Sequence, residues 1–226
     1  MEFKKEYKQK EKSLAICIIP ARGGSKRIPL KNIRHFAGKP IIWYPIDIAK
    51  KSKLFDHVFV STESELIAKI ARDGGAEVPF IRPLELADDE TPIYDVLSHA
   101  VNWMKNQSIK FKYICCMYAT ALFIKDIYLR QGFEVLVSGK ANRAFTVSTY
   151  PGSIFRALRI NEQGLLKMIW PENKPDRCQD LPRAYYNAGQ FHWYKANYFN
   201  NNYCQRDKGA APIVIPRYLA HDIDTP

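Results

Sequence analysis

The residues best suited to chemistry lie in a short loop near the start of the chain. An apolar run, residues 14–19, ends at Pro20 and is followed by the sequence ARGGSKRIPLKN. Two adjacent glycines allow positive φ angles and close backbone approach to a ligand, and a serine adds a hydroxyl group. The loop therefore combines shape, a hydroxyl and cations that can bind phosphate oxygens: Gly23, Gly24, Ser25, Arg22, Lys26, Arg27 and Lys31. This composition predicts a buried strand leading into a polyphosphate-binding loop, and the alternative is a basic surface loop.

A pair of carboxylates near the last residue offers a second chemistry. Asp222 and Asp224 are separated by Ile223. In an extended segment, side chains two positions apart point to the same side, so both carboxylates can face one hard cation. Pairs of this kind are usually just solvated, but a nucleotide polyphosphate needs Mg²⁺ to offset its charge. The two patterns together predict magnesium-assisted nucleotide chemistry.

The elements that must position these groups follow an α/β pattern. Residues 58–60 read as a strand, Ser61 or Thr62 can cap the helix that follows, two glycines end that helix, and residues 78–81 read as another strand. A strand, helix and strand in this order form a βαβ unit, which implies a parallel sheet. Further helices are predicted over residues 39–51, with a kink at Pro45, and over residues 92–105 and 126–136.

A second buried strand, residues 112–118, should lie in the same sheet. Ligands of open α/β sheets bind at the carboxyl ends of the strands. Residues 20–31, Ser61, Thr62 and residues 117–120 should therefore surround one crevice.

The composition limits the classes to which the protein can belong. The 226 residues can form one domain, 46% are hydrophobic and 25% are charged, as in ordinary globular proteins. No apolar run approaches the ~18 residues of a membrane helix, and the first residues lack the apolar centre of a signal peptide. We therefore expect a cytoplasmic protein without a membrane partner. Five cysteines without a CxxC pair predict neither a disulfide framework nor a zinc site.

The domain organisation is expected to be simple. Residues 1–12 read as a mobile basic tail, and residues 13–226 as a single domain. Between about residues 143 and 182, short β-like segments and a polar, proline-rich run predict an extension that packs on a second subunit. Tyr185 to Tyr194 then returns as an aromatic strand, and residues 213–215 form the last one.

Several motifs together resemble a known family. The segments IIPARGGSKRIPLKNI, GKPII, FVSTE, AEVPFIRPLELADDET and DIDTP look like those of the CMP-sugar synthetases that activate nine-carbon acidic sugars, the acylneuraminate cytidylyltransferases. The resemblance extends from Leu14 onward and is strongest to the branch that activates pseudaminic acid. It implies a three-layer Rossmann-like fold with a mostly parallel sheet, as in nucleotide-diphospho-sugar transferases, and a homodimer.

The resemblance also implies roles for residues at both ends of the site. For CTP these are Ala21, Arg22, Gly23, Gly24, Ser25, Lys26, Lys31 and Asn32, with Arg22 and Lys31 also catalytic. Asp222 and Asp224 match the metal-binding pair and would hold Mg²⁺. For the sugar they are Arg177, Asn187, Gln190 and His192. Met117 stands where the sialic acid branch has a glutamine that can read cytosine, so base selection should rest on backbone groups or on neighbours such as Thr120.

The reaction implied is attack by the anomeric hydroxyl of the sugar on the α-phosphorus of CTP, which releases pyrophosphate. It needs no protein nucleophile, and none of the five histidines is an evident general base. Alternatives within the class are synthetases of CMP-sialic, CMP-legionaminic or CMP-deoxyoctulosonic acid and a distant uridylyltransferase. A glycosyltransferase is a further alternative, as is a nucleic-acid-binding module suggested by the net charge of +11. We expect no nucleic-acid partner, because the aromatic residues are not interleaved with basic ones.

Overall fold

The computed structural model describes residues 14–200, 209–221 and 223. The predicted tail and the aspartates at positions 222 and 224 lie outside these residues. The strands are numbered in chain order. Six of them form the central sheet: β1 (Ala15–Pro20), β4 (His57–Ser61), β5 (Tyr113–Met117), β6 (Arg143–Thr149), β9 (Tyr185–Lys195) and β10 (Ala210–Val214). Two ribbons supply the others: β2 (His35–Phe36) with β3 (Lys39–Pro40), and β7 (Leu158–Ile160) with β8 (Leu166–Met168). The helices are α1 (Trp43–Ser52), α2 (Glu65–Asp73), α3 (Ile93–Asn106) and α4 (Asp126–Val137).

The central sheet is mostly parallel, as the sequence predicts. Its strand order is β10-β6-β9-β5-β1-β4. β1 pairs in parallel with β4 and β5, and β6 pairs in parallel with β10. β9 alone runs antiparallel to both of its neighbours. Because β1 and β5 end at the same edge, the loops that follow them meet there.

Helices cover both faces of the sheet. Along β1, Cys17 and Ile19 face a core formed with α1, α2 and α4, whereas Ile16 and Ile18 face a second core formed mainly with α3. Side chains alternate between the two faces of a strand, so a strand buried on both faces reads as a continuous apolar run. Each fully buried isoleucine contributes roughly 1.5–3 kcal/mol of hydrophobic stabilisation. The three-layer α/β prediction is confirmed.

Two local predictions along β4 and α2 are corrected. The cap of α2 is Ser64, whose side chain accepts a hydrogen bond from the Ile67 amide at 3.4 Å, and not Ser61 or Thr62, which are buried. The strand predicted at residues 78–81 is reduced to one bridge between Glu77 and Phe59. The proline that follows at position 79 has no amide hydrogen to continue the ladder.

The position of Pro45 in α1 gives no reason for the predicted kink. α1 begins at Trp43, which places Pro45 in the first turn. A proline there removes no intrahelical hydrogen bond.

The first seven residues of the predicted extension belong to the central sheet. Arg143–Thr149 is β6, which lies inside the central sheet between β9 and β10. Its alternation of buried and half-buried residues was too short for the sequence pattern to distinguish it from the irregular chain that follows. The segment between β6 and β9, residues 150–184, carries the β7–β8 ribbon, and we call it the ribbon arm.

Candidate nucleotide-binding site

The loop that follows β1 is held at both ends. At its start, the Ala21 amide donates a hydrogen bond to the Ser61 carbonyl at the end of β4, at 3.0 Å. At its far end, the chain forms a short 3-10 helix, Lys31–Ile33, in which Asn32 is buried. Nδ2 of Asn32 donates a hydrogen bond to the Arg22 carbonyl at 2.9 Å. The side chain of Asn32, at the far end of the loop, therefore fixes the backbone at its start. The shape of the loop is therefore set by the fold.

A buried ion pair stabilises the loop through a hydrogen bond to its backbone. The Gly23 amide donates to Oε1 of Glu63 at 2.5 Å, and the other carboxylate oxygen, Oε2, accepts from Nη2 of Arg82 at 2.8 Å. The side chains of Glu63 and Arg82 are only 10% and 3% exposed. Burial lowers the pKa of Arg82 below its ordinary value, and the hydrogen bond to Glu63 opposes that shift. Removing either partner would leave an uncompensated charge in a buried place.

A cleft of about 620 Å³ opens above this loop at the carboxyl ends of β1 and β5. Its lining comes from the loop after β1, the acidic loop over residues 82–91, the start of α3 and the residues after β5. The lining residues of the β1 loop include Ala21, Arg22, Ser25, Lys26, Arg27, Lys31 and Asn32. The other segments contribute Arg82, Asp88, Asp89, Tyr118, Ala119 and Thr120. Basic side chains thus converge on a space large enough for a nucleotide.

The acidic loop makes direct contact with these cations. Asp89 bridges Arg22 and Lys26, with its Oδ2 at 2.6 Å from the Lys26 ammonium, and Arg22 also donates to the Asp88 carbonyl. The hydrogen bond from Lys26 and the charge of Arg22 lower the pKa of Asp89, so it is ionised at neutral pH. The positive charge of the cleft is therefore partly neutralised by the protein itself.

A polar cluster on β9 lies next to the cleft. The pairing of β9 with β6 shifts between Phe145, which is opposite His192, and Val147, which is opposite Asn187. This irregularity, with Gly189 at a φ of +63°, brings Nδ2 of Asn187 to 3.3 Å from Nε2 of His192. In a regular strand, residues five apart would face opposite sides of the sheet.

His192 is buried between aromatic rings. It stacks on Phe145 and meets the edge of Tyr118, which lines the cleft. Burial, with a smaller contribution from Arg143, lowers the pKa of His192 to about 4, so the imidazole is neutral at neutral pH. Nearby, Nε2 of Gln190 donates to the Leu219 carbonyl at 2.6 Å. Among the described residues, Oε1 of Gln190 and Nδ1 of His192 are buried with no hydrogen-bond partner.

The last described residue approaches the β1 loop. Nζ of Lys31 donates to the Ile223 carbonyl at 2.8 Å, across 192 positions of sequence. The side chains of Asp222 and Asp224 are outside the described residues, but the peptide between them is at the loop. In the part of the chain that the structure describes, no group of three or more metal-binding side chains occurs.

Comparison with known proteins identifies the family of this fold and cleft. A sequence model of the cytidylyltransferase family matches residues 16–204. The chain belongs to the cytidylyltransferase family. It is 36% identical over 210 residues to the pseudaminic acid cytidylyltransferase of Campylobacter jejuni, an alignment that covers 93% of this chain and 90% of that protein. It is 33% identical to the CMP-N,N'-diacetyllegionaminic acid synthase of Legionella pneumophila, over 74% of this chain and 68% of that protein.

Solved structures agree on the fold. The structure of CMP:2-keto-3-deoxy-manno-octonic acid synthetase complexed with CTP superposes with a TM-score of 0.63 at 16% identity, covering 89% of this chain and 90% of that one. At this level of identity the likeness concerns the fold of cytidylyltransferases. It agrees with the mostly parallel sheet of this chain.

The structure brings most of the predicted CTP residues of this cytidylyltransferase together. Those that line the cleft are Ala21, Arg22, Ser25, Lys26, Lys31, Asn32 and Thr120. Gly23 lies in the loop, where its amide is engaged by Glu63, and Gly24 beside it has open space around its Cα. The predicted crevice residues Ser61 and Thr62 are instead buried beneath the loop. The binding roles of all these residues stay predictions.

The base end of the cleft differs from the sequence-based expectation. Met117 is fully buried and its sulfur is 3.3 Å from the Cys17 thiol in the core, so its side chain is not among the cleft residues. Met117 is therefore no obstacle to base recognition. The cleft residues that directly follow β5 are Tyr118, Ala119 and Thr120.

The predicted sugar residues are only partly assembled. Asn187 and His192 are in contact, and Gln190 is buried close by on the same strand. Arg177 lies on the ribbon arm, where it forms an ion pair with Asp180 at 2.7 Å and is 74% exposed. It is not among the residues that line the cleft of this chain.

Sequence reasoning missed the carboxylates that organise the loop. Glu63 and Arg82 are 19 positions apart, and nothing in their local pattern indicates that both are buried. Asp88 and Asp89 belong to an acidic loop that the sequence does show, and its position after the helix-strand unit could have suggested a partner for the basic loop.

No helix among the described residues has the length and apolarity to cross a membrane.

Proposed function

We propose that this cytidylyltransferase couples CTP to a nine-carbon acidic sugar, pseudaminic acid, to give the CMP-sugar and pyrophosphate. The observation that carries this proposal is the cleft at the carboxyl ends of β1 and β5, where Arg22, Lys26, Lys31 and Arg82 converge. The substrate is suggested by the relative from Campylobacter jejuni, whose identity extends over 93% of this chain. The phosphates of CTP would lie on the β1 loop.

The protein's contribution to this reaction is positioning and charge. Arg22 and Lys26 carry the charges that would balance the developing pyrophosphate, and Asn32 keeps the loop in shape through the Arg22 carbonyl. An attacking hydroxyl held in line with the α-phosphorus needs little further assistance beyond loss of its proton. No histidine lines the cleft among the described residues, and His192 is buried and neutral.

Magnesium is the proposed cofactor. Lys31 of the β1 loop holds the carbonyl of Ile223. The two residues that flank Ile223 in sequence, Asp222 and Asp224, carry carboxylates, which are ligands that suit a hard cation. A magnesium ion there would neutralise the triphosphate and lower the pKa of the attacking hydroxyl.

The acidic sugar would occupy the β9 side of the cleft. Asn187, Gln190 and His192 form a polar group behind Tyr118, and two of their buried polar atoms have no partner among the described residues. A group of this kind suits hydroxyl and amide substituents, because an unsatisfied buried polar atom is costly until a ligand pairs with it. Arg177 would reach the sugar carboxylate only if the ribbon arm approaches a cleft, its own or that of a second subunit.

A homodimer built through the ribbon arm is part of the same proposal. The pairing of β7 with β8 places Leu158, Ile160, Leu166 and Met168 on one face, with Arg159 and Lys167 on the other. On the apolar face, Ile160 and Leu166 are about 70% exposed, at 71% and 69%. An isolated two-stranded ribbon is marginally stable, so its apolar face needs a partner surface. A second copy of this chain would cover it.

The cytoplasm is the proposed location. Among the described residues, Cys17, Cys115, Cys116 and Cys178 are free thiols, which suits a reducing compartment.

The test is pyrophosphate release by the whole chain with Mg²⁺. CTP or UTP is supplied with pseudaminic, sialic, legionaminic or deoxyoctulosonic acid. We expect release with CTP and pseudaminic acid, at a kcat/KM at least about 100-fold above the other sugars, because a site that hydrogen-bonds substrate groups rejects analogues that leave those bonds unmade. Release that is greatest with another acidic sugar would replace the substrate, and no release with any sugar would overturn the proposal.

A further inference from the structure

The loop proposed to hold the phosphates has two carboxylate partners of opposite character. Glu63 is buried and pairs with buried Arg82. Asp89 pairs with Arg22 and Lys26, and all three side chains are open to solvent, with 36%, 32% and 83% of their surface exposed. Ion pairs at the surface are individually worth little, because water solvates the separated charges well. The Asp89 contacts can therefore break at small cost, whereas the Glu63 contacts cannot.

The acidic loop presents Asp89 through a compact turn. Oδ1 of Asp88 accepts hydrogen bonds from the amides of Glu90 and Thr91, at 3.0 and 2.6 Å. The Thr91 hydroxyl donates to the Glu85 carbonyl at 3.3 Å. This turn fixes the loop internally without using the side chain of Asp89, so that carboxylate can leave its cations while the turn persists.

The carboxylate of Asp89 occupies the position that an anion on this loop would take. Arg22 and Lys26 line the cleft, and each has a cationic group directed to Asp89. A phosphate group that pairs with both cations has to displace the carboxylate, because two anions in contact repel each other.

We propose that Asp89 is an exchangeable counterion of the β1 loop and that it sets the anionic charge a ligand needs to bind there. The inference rests on the proposed function, since it assumes that the loop binds phosphates. A pyrophosphate group carries enough charge to compete with one carboxylate for two cations, and a single phosphate gains much less. When pyrophosphate leaves, Asp89 returns to Arg22 and Lys26, which favours its release over rebinding. Asp89 is thus a specificity-determining residue for polyphosphate.

The test compares Asp89→Asn with a matched control, Glu90→Gln, in the full chain. The control removes one negative charge from the next position, whose side chain makes none of the ion pairs described for residues 14–200. Calorimetric titration with inorganic pyrophosphate, without added metal, gives the affinity. We expect Asp89→Asn to bind pyrophosphate about 5- to 10-fold more tightly, the factor that two exposed ion pairs can supply. Glu90→Gln should stay within about 2-fold of the parent protein, because charges one residue further away are screened by solvent.

The outcomes separate this inference from the proposed function. Unchanged or weaker binding to Asp89→Asn, or equal tightening by Glu90→Gln, overturns the counterion role. Arg22→Gln reports on the loop itself, and we expect it to weaken pyrophosphate binding about 10-fold or more, as loss of a charge-assisted contact does. If Arg22→Gln binds as tightly as the parent protein, the proposed phosphate site fails. If Asp89→Asn leaves metal-free binding unchanged and weakens binding when Mg²⁺ is added, Asp89 is a metal ligand and the counterion role is overturned.

Discussion

The β1 loop and the ribbon arm lie in the same chain but are stabilised in opposite ways. In the loop, contacts join residues far apart in sequence: Glu63 to Gly23, Asp89 to Lys26, and Ile223 to Lys31. In the ribbon arm, the charged contacts stay within the arm: Arg177 pairs with Asp180, and Arg156 donates to the Asp176 carbonyl. One apolar face of the arm is exposed.

This difference shows which parts of the enzyme one chain can complete. The contacts that shape the β1 loop and the carboxylates that pair with its cations all come from the same chain. The loop therefore needs no second subunit to take its shape. The ribbon arm leaves apolar surface exposed, and this exposure is the basis of the proposed dimer. The predictions below test that contrast, beginning with the largest expected effect.

Loss of the proposed metal site should lower turnover, whereas the same chemical change on the ribbon arm should not. We expect Asp224→Asn to lower kcat by about 100-fold or more, the range seen when a group that stabilises transition-state charge is removed, with little effect on CTP binding. Pyrophosphate release at saturating Mg²⁺ and CTP titration measure the two quantities. Asp180→Asn, which makes the same chemical change on the ribbon arm, should retain more than half of the activity. Equal turnover by the two variants would contradict the assignment.

Loss of the buried carboxylate should destabilise the protein. Glu63→Ala leaves Arg82 buried without its partner, and breaking a buried ion pair in this way costs about 3 kcal/mol. Urea unfolding measures the change in the free energy of unfolding. Glu77→Ala breaks an exposed pair with His57 instead, and there the change should stay below about 1 kcal/mol. Similar changes for both variants would show that the two pairs are energetically alike.

The ribbon arm can be tested with two neighbouring residues on opposite faces. Leu166→Glu introduces a charge on the apolar face of β8, and we expect a dimer dissociation constant at least about 30-fold higher, as for a central interface residue worth 2 kcal/mol. Sedimentation equilibrium measures it. Lys167→Glu, on the charged face, should alter the constant by less than about 5-fold. A dimer that survives Leu166→Glu, or a chain that is monomeric from the start, would contradict the role of this face.

The smallest expected effect concerns His192, which lies on β9. Its pKa is about 4 in the folded protein and 6.5 when unperturbed. As pH falls below 6.5, the unfolded chain binds a proton that the folded chain does not, so the folded state loses stability down to about pH 4. Between pH 7 and 5.5 the loss should be about 1 kcal/mol. The unfolding free energy of His192→Phe should lack this component, and parallel pH profiles of the parent and variant would exclude it.

Much of the phosphate end could be predicted from the sequence because its signals are local. An apolar run, a proline break, paired glycines and closely spaced cations identify a strand and an anion-binding loop without knowledge of any distant partner. The helix from Asp126 and the aromatic strand from Tyr185 were equally readable, since each is a continuous segment with its own pattern.

Other features could not be predicted because they depend on register and on contacts across the fold. Asn187 and His192 would lie on opposite faces of a regular strand, and only the irregularity opposite Phe145 and Val147 brings them together. Met117 was expected at the base site because it aligns with a glutamine there, yet its side chain points to the core. One position of register decides which face a side chain occupies.

The sequence by itself determined the α/β architecture, the loop after β1 and the cytidylyltransferase resemblance. These depend on periodicity and on motifs whose members are neighbours in the chain. Only the tertiary structure decided that Glu63 and Arg82 form a buried pair beneath Gly23, and that Asp89 occupies the cations of the loop. Glu63 lies 19 positions from Arg82 and 40 from Gly23. Side-chain burial and charge pairing at such separations arise only when the strands and helices are packed.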